Sequence, residues 1–233
     1  QASQKARRAG AWEATARYAS IGKTLLPPAH WQTHYTLSFN LYSISAECAA
    51  LRGEQEQAEK LYQTLMLQAQ SDLEKAQICL SQLRLFFGQA KWDIAIATGK
   101  QGLAYCGFTL PNTEAELELA SESAKKQLTE LTTSASVTVI SQLPEMHNTQ
   151  MQTALALFSN IGLCFYVASK MDYLTFYVQQ ALILTYQQGK SDLSALVLAV
   201  NAFLKTRDEQ FDEAIKYAEQ SLIIMEMRMC FME

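Results

Sequence analysis

His30 and His34 stand four apart in His30-Trp31-Gln32-Thr33-His34, the spacing at which a helix offers two imidazoles to one zinc ion. The glutamate that acts as general base in such helical metal sites is missing from the intervening three residues, and the third histidine, His147, is remote. The pair is therefore expected to be structural, with Trp31, His34 and Tyr35 packing at a helix start and no metal bound. Glu116 and Glu118, or Glu54, Glu56 and Glu59, have the residue type for acid–base work, but they fall on solvated helix faces. The sequence contains no G-x-x-x-x-G-K-[ST], G-x-G-x-x-G or G-x-S-x-G, so neither a phosphate cradle nor a nucleophile elbow is expected. Five cysteines, Cys48, Cys79, Cys106, Cys164 and Cys230, are odd in number and widely spaced, without basic neighbours. They read as buried thiols of a reducing, cytoplasmic compartment. No catalytic residue, cofactor or metal is expected, and the segment itself is not expected to be an enzyme.

Two clusters suit recognition better than catalysis. Phe158, Phe165, Tyr166, Tyr173, Phe176, Tyr177 and Tyr186 crowd into about 30 residues. They form either a core or a groove between helices whose tyrosine hydroxyls hold a peptide or small ligand; Phe158, Phe165, Tyr166, Tyr173 and Tyr177 are the groove candidates. Near the end come Met225, Met227, Met229, Cys230, Phe231 and Met232. Methionine is flexible and polarizable, so Met225 and Met229 are the candidate C-terminal contact face, through which a homodimer can form. The first 26 residues carry a net charge of +4, read as a solvated helix with a phosphate or an acidic neighbour as the alternative.

The elements that must position these groups are helices. Nine glycines and four prolines in 233 residues are about half the usual frequency, too few for a sandwich or barrel. A net charge of −4 leaves no basic field for nucleic acid. Apolar stripes at helical spacing run through Ala58-Leu61-Tyr62-Leu65-Ala69, Leu73-Ala76-Leu80-Leu83-Phe87, Trp92-Ala95-Ile96-Leu103-Cys106 and Phe211-Ala214-Ile215-Ala218-Leu222-Met225. Ser71 with Glu74 and Thr113 with Glu116 have capping-box spacing. Stops are expected at Pro27-Pro28, Gly53, Gly88, Gly107, Pro144 and Gly189, giving antiparallel helices of about 14 to 20 residues. Val137 to Ile140 is the nearest approach to a strand. Residues 148–169 lack charge but include Asn148, Gln150, Gln152, Ser159 and Asn160, which favours a buried helix over a membrane span.

The helices also repeat. A large residue followed by small ones three, seven and ten later occurs at Trp12-Thr15-Ala19-Gly22, Trp92-Ala95-Gly99-Gly102 and Phe211-Ala214-Ala218-Ser221, with a poorer copy at Gln55-Ala58-Tyr62-Leu65. This is the spacing of the second helix of a tetratricopeptide unit, and the starts imply one, one and three units of about 40 residues. The expected fold is an all-α, right-handed superhelix of about ten antiparallel helices. Residues 1–110 are expected to hold degenerate repeats and 111–147 a linking helix with a Ser/Thr-rich junction. Residues 148–233 are expected to hold apolar hairpins and a final unit, the whole being a segment of a longer protein whose last helix is unfinished.

Several segments carry a family resemblance: Q-A-S-Q-K-A-R-R-A-G-A-W-E-A at 1–14, L-L-P-P-A-H-W-Q-T-H-Y at 25–35, and the helix from Tyr42 to Gly53. Y-C-G-F-T-L-P at 105–111, S-Q-L-P-E-M at 141–146 and Y-Q-Q-G-K-S-D-L-S-A at 186–195 complete it. Together these resemble the tetratricopeptide-like region of large bacterial signalling proteins. There it follows a serine/threonine-kinase-like domain and an AAA-type (STAND-like) ATPase, and precedes GAF or PAS sensors and a histidine kinase or diguanylate cyclase. Ser191 to Ala195 departs from that family's N-S-P-x-S-A by lacking the proline. The resemblance implies a non-catalytic scaffold that relays between such modules by contacts with domains of the same polypeptide or another protein, without nucleic acid or a membrane span. The alternative is an effector- or peptide-binding sensor of an ATPase-type transcriptional regulator.

Overall fold

In the computed structural model, which describes residues 11–134 and 140–229, the chain is all-α. Among the described residues there are eleven helices: α1 (Trp12–Thr24), α2 (His30–Thr33), α3 (Tyr35–Leu51), α4 (Gln55–Gln68), α5 (Asp72–Gly88), α6 (Trp92–Tyr105), α7 (Glu114–Ser134), α8 (Thr149–Val167), α9 (Met171–Gln188), α10 (Ser194–Arg207) and α11 (Phe211–Met229). Only one isolated bridge, Glu145 to Lys190, has β character there. Val137 to Val139 lie outside the described residues, and Ile140 opens a short 3₁₀ turn.

Four hairpins, α3/α4, α5/α6, α8/α9 and α10/α11, form the stack, with α1 against α3 at one end. The second helix of each hairpin packs on the first helix of the next: α4 on α5, α6 on α8, α9 on α10. The small residues of the repeat sit where these helices cross. A Cβ on Gly99 would come within 2.6 Å of Leu83, and one on Gly102 within 2.9 Å of Cys79. The interval from Trp92 to Phe211 holds two hairpin units rather than three. Met171 opens the missing copy, with Leu174, Val178 and Ala181 at its three repeat offsets, and the remaining length goes to α7, which packs on α9.

Each hairpin turns the same way. Gly53, Ala90, Ser169 and Glu209 have positive φ two residues before the second helix begins. The next amide donates back five residues: Glu54 to Ala49 at 2.9 Å, Lys91 to Phe86 at 3.0 Å, Lys170 to Phe165 at 2.9 Å and Gln210 to Lys205 at 2.8 Å. This is the 6→1 bond that closes a helix C-terminus. Gly88, expected as a stop, is the last residue of α5, and Ala90 takes the left-handed position instead.

Both capping boxes form. The Glu74 amide donates to Ser71 Oγ at 3.2 Å and the Glu116 amide to Thr113 Oγ1 at 3.2 Å, while each glutamate accepts from the cap amide. Helix α7 runs into the expected Ser/Thr-rich junction as far as Ser134. Thr129 and Thr132 turn their hydroxyls onto the carbonyls of Lys125 and Leu128, which keeps them compatible with helix.

The main core extends from Ala76 to Ile224 and includes Leu117, Ala124, Ile140 and Met146, so segment 111–147 shares the core of the hairpins on either side. Helix α8 lies at its centre against α5, α6 and α9, which explains why Leu155, Phe158 and Phe165 on one side and Leu157, Ile161 and Cys164 on the other are all buried. Among the described residues, no helix is long and apolar enough to cross a membrane.

Candidate functional site

The groups with chemical potential are mostly absorbed by structure. His30 Nδ1 lies 2.9 Å from Ser38 Oγ, and its ring stacks on Tyr42 at 5.8 Å. His34, expected to pack, is exposed instead. Its backbone, at φ −138°, separates α2 from α3, so the two imidazoles do not share a helix. Among the described residues no three His, Cys, Asp or Glu side chains converge as a metal site would require. Glu54 pairs with Arg52 at 2.8 Å. Burial pushes the Cys79 thiol up to about 12 and those of Cys106 and Cys164 up to about 11, the reverse of an activated nucleophile. Cys230 lies outside the described residues.

The aromatic cluster divides. Phe158 and Tyr166 from α8 and Tyr177 from α9 line an apolar cleft of about 270 Å³, closed on its third side by α10. Phe165 and Tyr173 lie behind it, stacked on one another at 4.9 Å, with Phe165 also 5.0 Å from the Tyr177 ring. Periodicity alone did not separate these two groups. Sequence reasoning also missed the α10 wall of Leu196, Ala199, Val200 and Phe203. Its signal was present as apolar residues at offsets of three, four and seven, readable once α10 is assigned as a helix.

The cleft floor is buried and its mouth is open. Phe158, Leu174 and Tyr177 are each at most 2% exposed, whereas Tyr166 and Phe203 are 50% and 45% exposed. Those two rings meet edge-on across the opening at 5.8 Å. Ser159 already donates to the Leu155 carbonyl at 2.9 Å. The Tyr177 hydroxyl is buried and meets no hydrogen-bond partner among the described residues. Desolvation raises its pKa, so it stays protonated.

A wider, mixed-charge groove of about 960 Å³ lies between α7 and the α9–α11 layer, where Tyr186 is found and Lys205 pairs with Glu213 at 2.6 Å. The other surface of note is α11. Ala214, Ser221 and Ile224 face inward, and Ser221 Oγ donates to the Ala195 carbonyl at 2.8 Å. The apolar stripe of Phe211, Ile215, Leu222 and Met225 faces outward, each residue more than half exposed, and Ala218 is exposed with it. Met229 closes α11 in the backbone; its side chain, and Cys230 to Met232, lie outside what is described.

No family model matches the chain, and no curated protein matches it significantly.

Proposed function

We propose that this chain is a non-catalytic helical-repeat scaffold of a cytoplasmic bacterial signalling protein, relaying between an ATPase- or kinase-like module and an output domain by protein–protein contacts. The observation that carries this reading is the outward apolar stripe of α11, Phe211-Ile215-Leu222-Met225, on the last hairpin of the stack. A repeat stack shields such a surface with a further unit or a partner, because exposed apolar area of this extent favours association. A second copy of the chain is a further occupant of the same face. The resemblance of segments 25–35, 141–146 and 186–195 supports the signalling context.

The test is made in the native polypeptide. The gene on either side must encode an ATPase-type module before this segment and a sensor or output module after it. Ile215→Glu with Leu222→Glu must then lower the output while leaving the helical content of the segment unchanged. A gene without such neighbours, or an output indifferent to the double variant, overturns the proposal. The apolar cleft favours a second reading, an effector-sensing module in which ligand binding between α8 and α10 biases that relay.

A further inference from the structure

The outward stripe of α11 has a spacing and a charged edge that specify its occupant. We propose, on the footing of the scaffold reading, that it docks one amphipathic helix, antiparallel to α11, with an aliphatic seam and a row of lysines or arginines along the edge that meets Asp212, Glu219 and Glu226.

The repeat says that a helix covers the stripe. Phe211, Ile215, Ala218, Leu222 and Met225 are spaced four and three apart in alternation, the spacing of a seam between two helices. The same positions in α6, counted from its first residue, are Trp92, Ile96, Gly99, Leu103 and Cys106. The last four of these are buried, on the helix that packs against α8. There Gly99 meets Ile161 and Gly102 meets Leu157, so the two helices run antiparallel. Ala218 is the counterpart of Gly99 and leaves room for a large aliphatic side chain like Ile161.

Charge says what kind of helix it is. Asp212, Glu219 and Glu226 recur one heptad apart, each directly after a seam residue, and all three are exposed. Among the described residues none of the three is in an ion pair. On the other side of the seam Ala214 and Ser221 are turned into the domain, so the acidic row is the solvent edge a partner meets. Flanking charges of this kind select partner and orientation. A second copy docked antiparallel would set its own acidic row against this one, and such pairing is weak enough for a basic-edged helix to displace it.

The test is fluorescence anisotropy of the chain with two labelled helical peptides about three heptads long. Both carry the same Leu/Ile seam; one has lysine and the other glutamate at the flanking positions. The lysine peptide should bind about tenfold more tightly at low salt, and high salt should shrink the difference. Glu219→Lys with Glu226→Lys should abolish the preference. Glu118→Lys with Glu122→Lys, the same charge change at exposed positions of α7, should preserve it. Equal or inverted binding of the two peptides, or a preference that the α7 variant also removes, overturns the charge chemistry and leaves the scaffold reading standing. If neither peptide binds, or if binding is indifferent to Ile215→Glu with Leu222→Glu at unchanged circular dichroism, the stripe is not a docking face and both readings fall. A tight dimer in sedimentation that the lysine peptide does not dissociate gives the face to a second copy and overturns the proposal.

Discussion

Gly189 and Pro144 touch backbone to backbone: a Cβ on Gly189 would overlap the Pro144 carbonyl oxygen and lie 3.2 Å from the Glu145 carbonyl carbon. The contact joins segments 141–146 and 186–195. Around it the Lys190 amide donates to Pro144 O at 2.8 Å and the Met146 amide to Lys190 O at 2.7 Å, and the Lys190 ammonium caps the Ser141 carbonyl. The connection between α7 and α8 is thereby pinned to the α9–α10 turn.

Gly189→Ala should therefore be among the most damaging single substitutions in the chain. At φ 101° and ψ 173° the residue occupies a region that is essentially glycine-only, and the added methyl also meets backbone that cannot rotate away. A loss of roughly 3 kcal/mol in urea unfolding is expected. A loss below about 1 kcal/mol would show that segment 141–146 is not held on this turn.

The hairpin turns give a prediction of opposite sign. Ala90, Ser169 and Glu209 take the left-handed conformation that Gly53 takes at the equivalent place. A side chain there costs about 1–2 kcal/mol, partly offset by the extra freedom glycine brings to the unfolded chain. Ala90→Gly and Ser169→Gly should each stabilise by about 0.5–1 kcal/mol, and Gly53→Ala should destabilise by a similar amount. Midpoints of thermal or urea unfolding check all three.

These turns also mark where the sequence stops being legible. Local signals were readable because they act over three or four residues: Ser71 with Glu74, Thr113 with Glu116, and the small positions Ala95, Gly99 and Gly102 that let α6 approach its neighbours. The turn at Ser169 carries no glycine, since hairpin packing imposes its backbone. The repeat copy at Met171 was hidden because Leu174 and Val178 replace small residues. Phe158, Tyr166 and Tyr177 were visible as candidates, but helix phase placed Phe165 and Tyr173 behind them, and the α10 wall comes from a later helix that begins only at Ser194. In α11 the period was plain, whereas only packing against α10 decides that Ala214, Ser221 and Ile224 turn inward and Phe211 and Ile215 outward.

The close crossing at Gly99 predicts a coupled pair. Gly99→Ala drives a methyl into Leu83 and Ile161 and should cost about 1–3 kcal/mol by overpacking. Ile161→Ala in the parent leaves a core cavity, but in the Gly99→Ala background the same truncation makes room for the new methyl. The double variant should be less destabilised than the two single losses together, as a double-mutant cycle in urea can measure. Simple additivity would show that α6 and α8 do not meet there.

Stability should fall in alkali. Folded Cys79, Cys106 and Cys164 hold their protons to about 11–12, against 9.0 for a free thiol, because burial disfavours the thiolate. Above pH 9 the unfolded chain therefore binds fewer protons than the folded one, and stability declines as pH rises. The contribution is complete below pH 9 and is lost toward the folded values, at up to about 1.4 kcal/mol per pH unit for each thiol. Unfolding midpoints measured at pH 7.5 and pH 10.5 should differ accordingly, and Cys79→Ala should flatten the decline.

The outward stripe of α11 predicts association. Phe211, Ile215, Leu222 and Met225 recur at helical spacing on one exposed face, while Ser221 and Ile224 turn inward, Ser221 onto the Ala195 carbonyl of α10. A flexible methionine and branched aliphatics can adapt to an identical face on a second copy, so the isolated chain should sediment with a concentration-dependent mass. Leu222→Glu with Met225→Glu places two carboxylates in that contact and should return the chain to monomer. It should leave the thermal midpoint of the dilute protein nearly unchanged, because neither side chain supports the core. If the parent chain is strictly monomeric at high concentration, the stripe does not pair with a second copy. If the variant loses helical content as well as association, these side chains instead support the fold of α11.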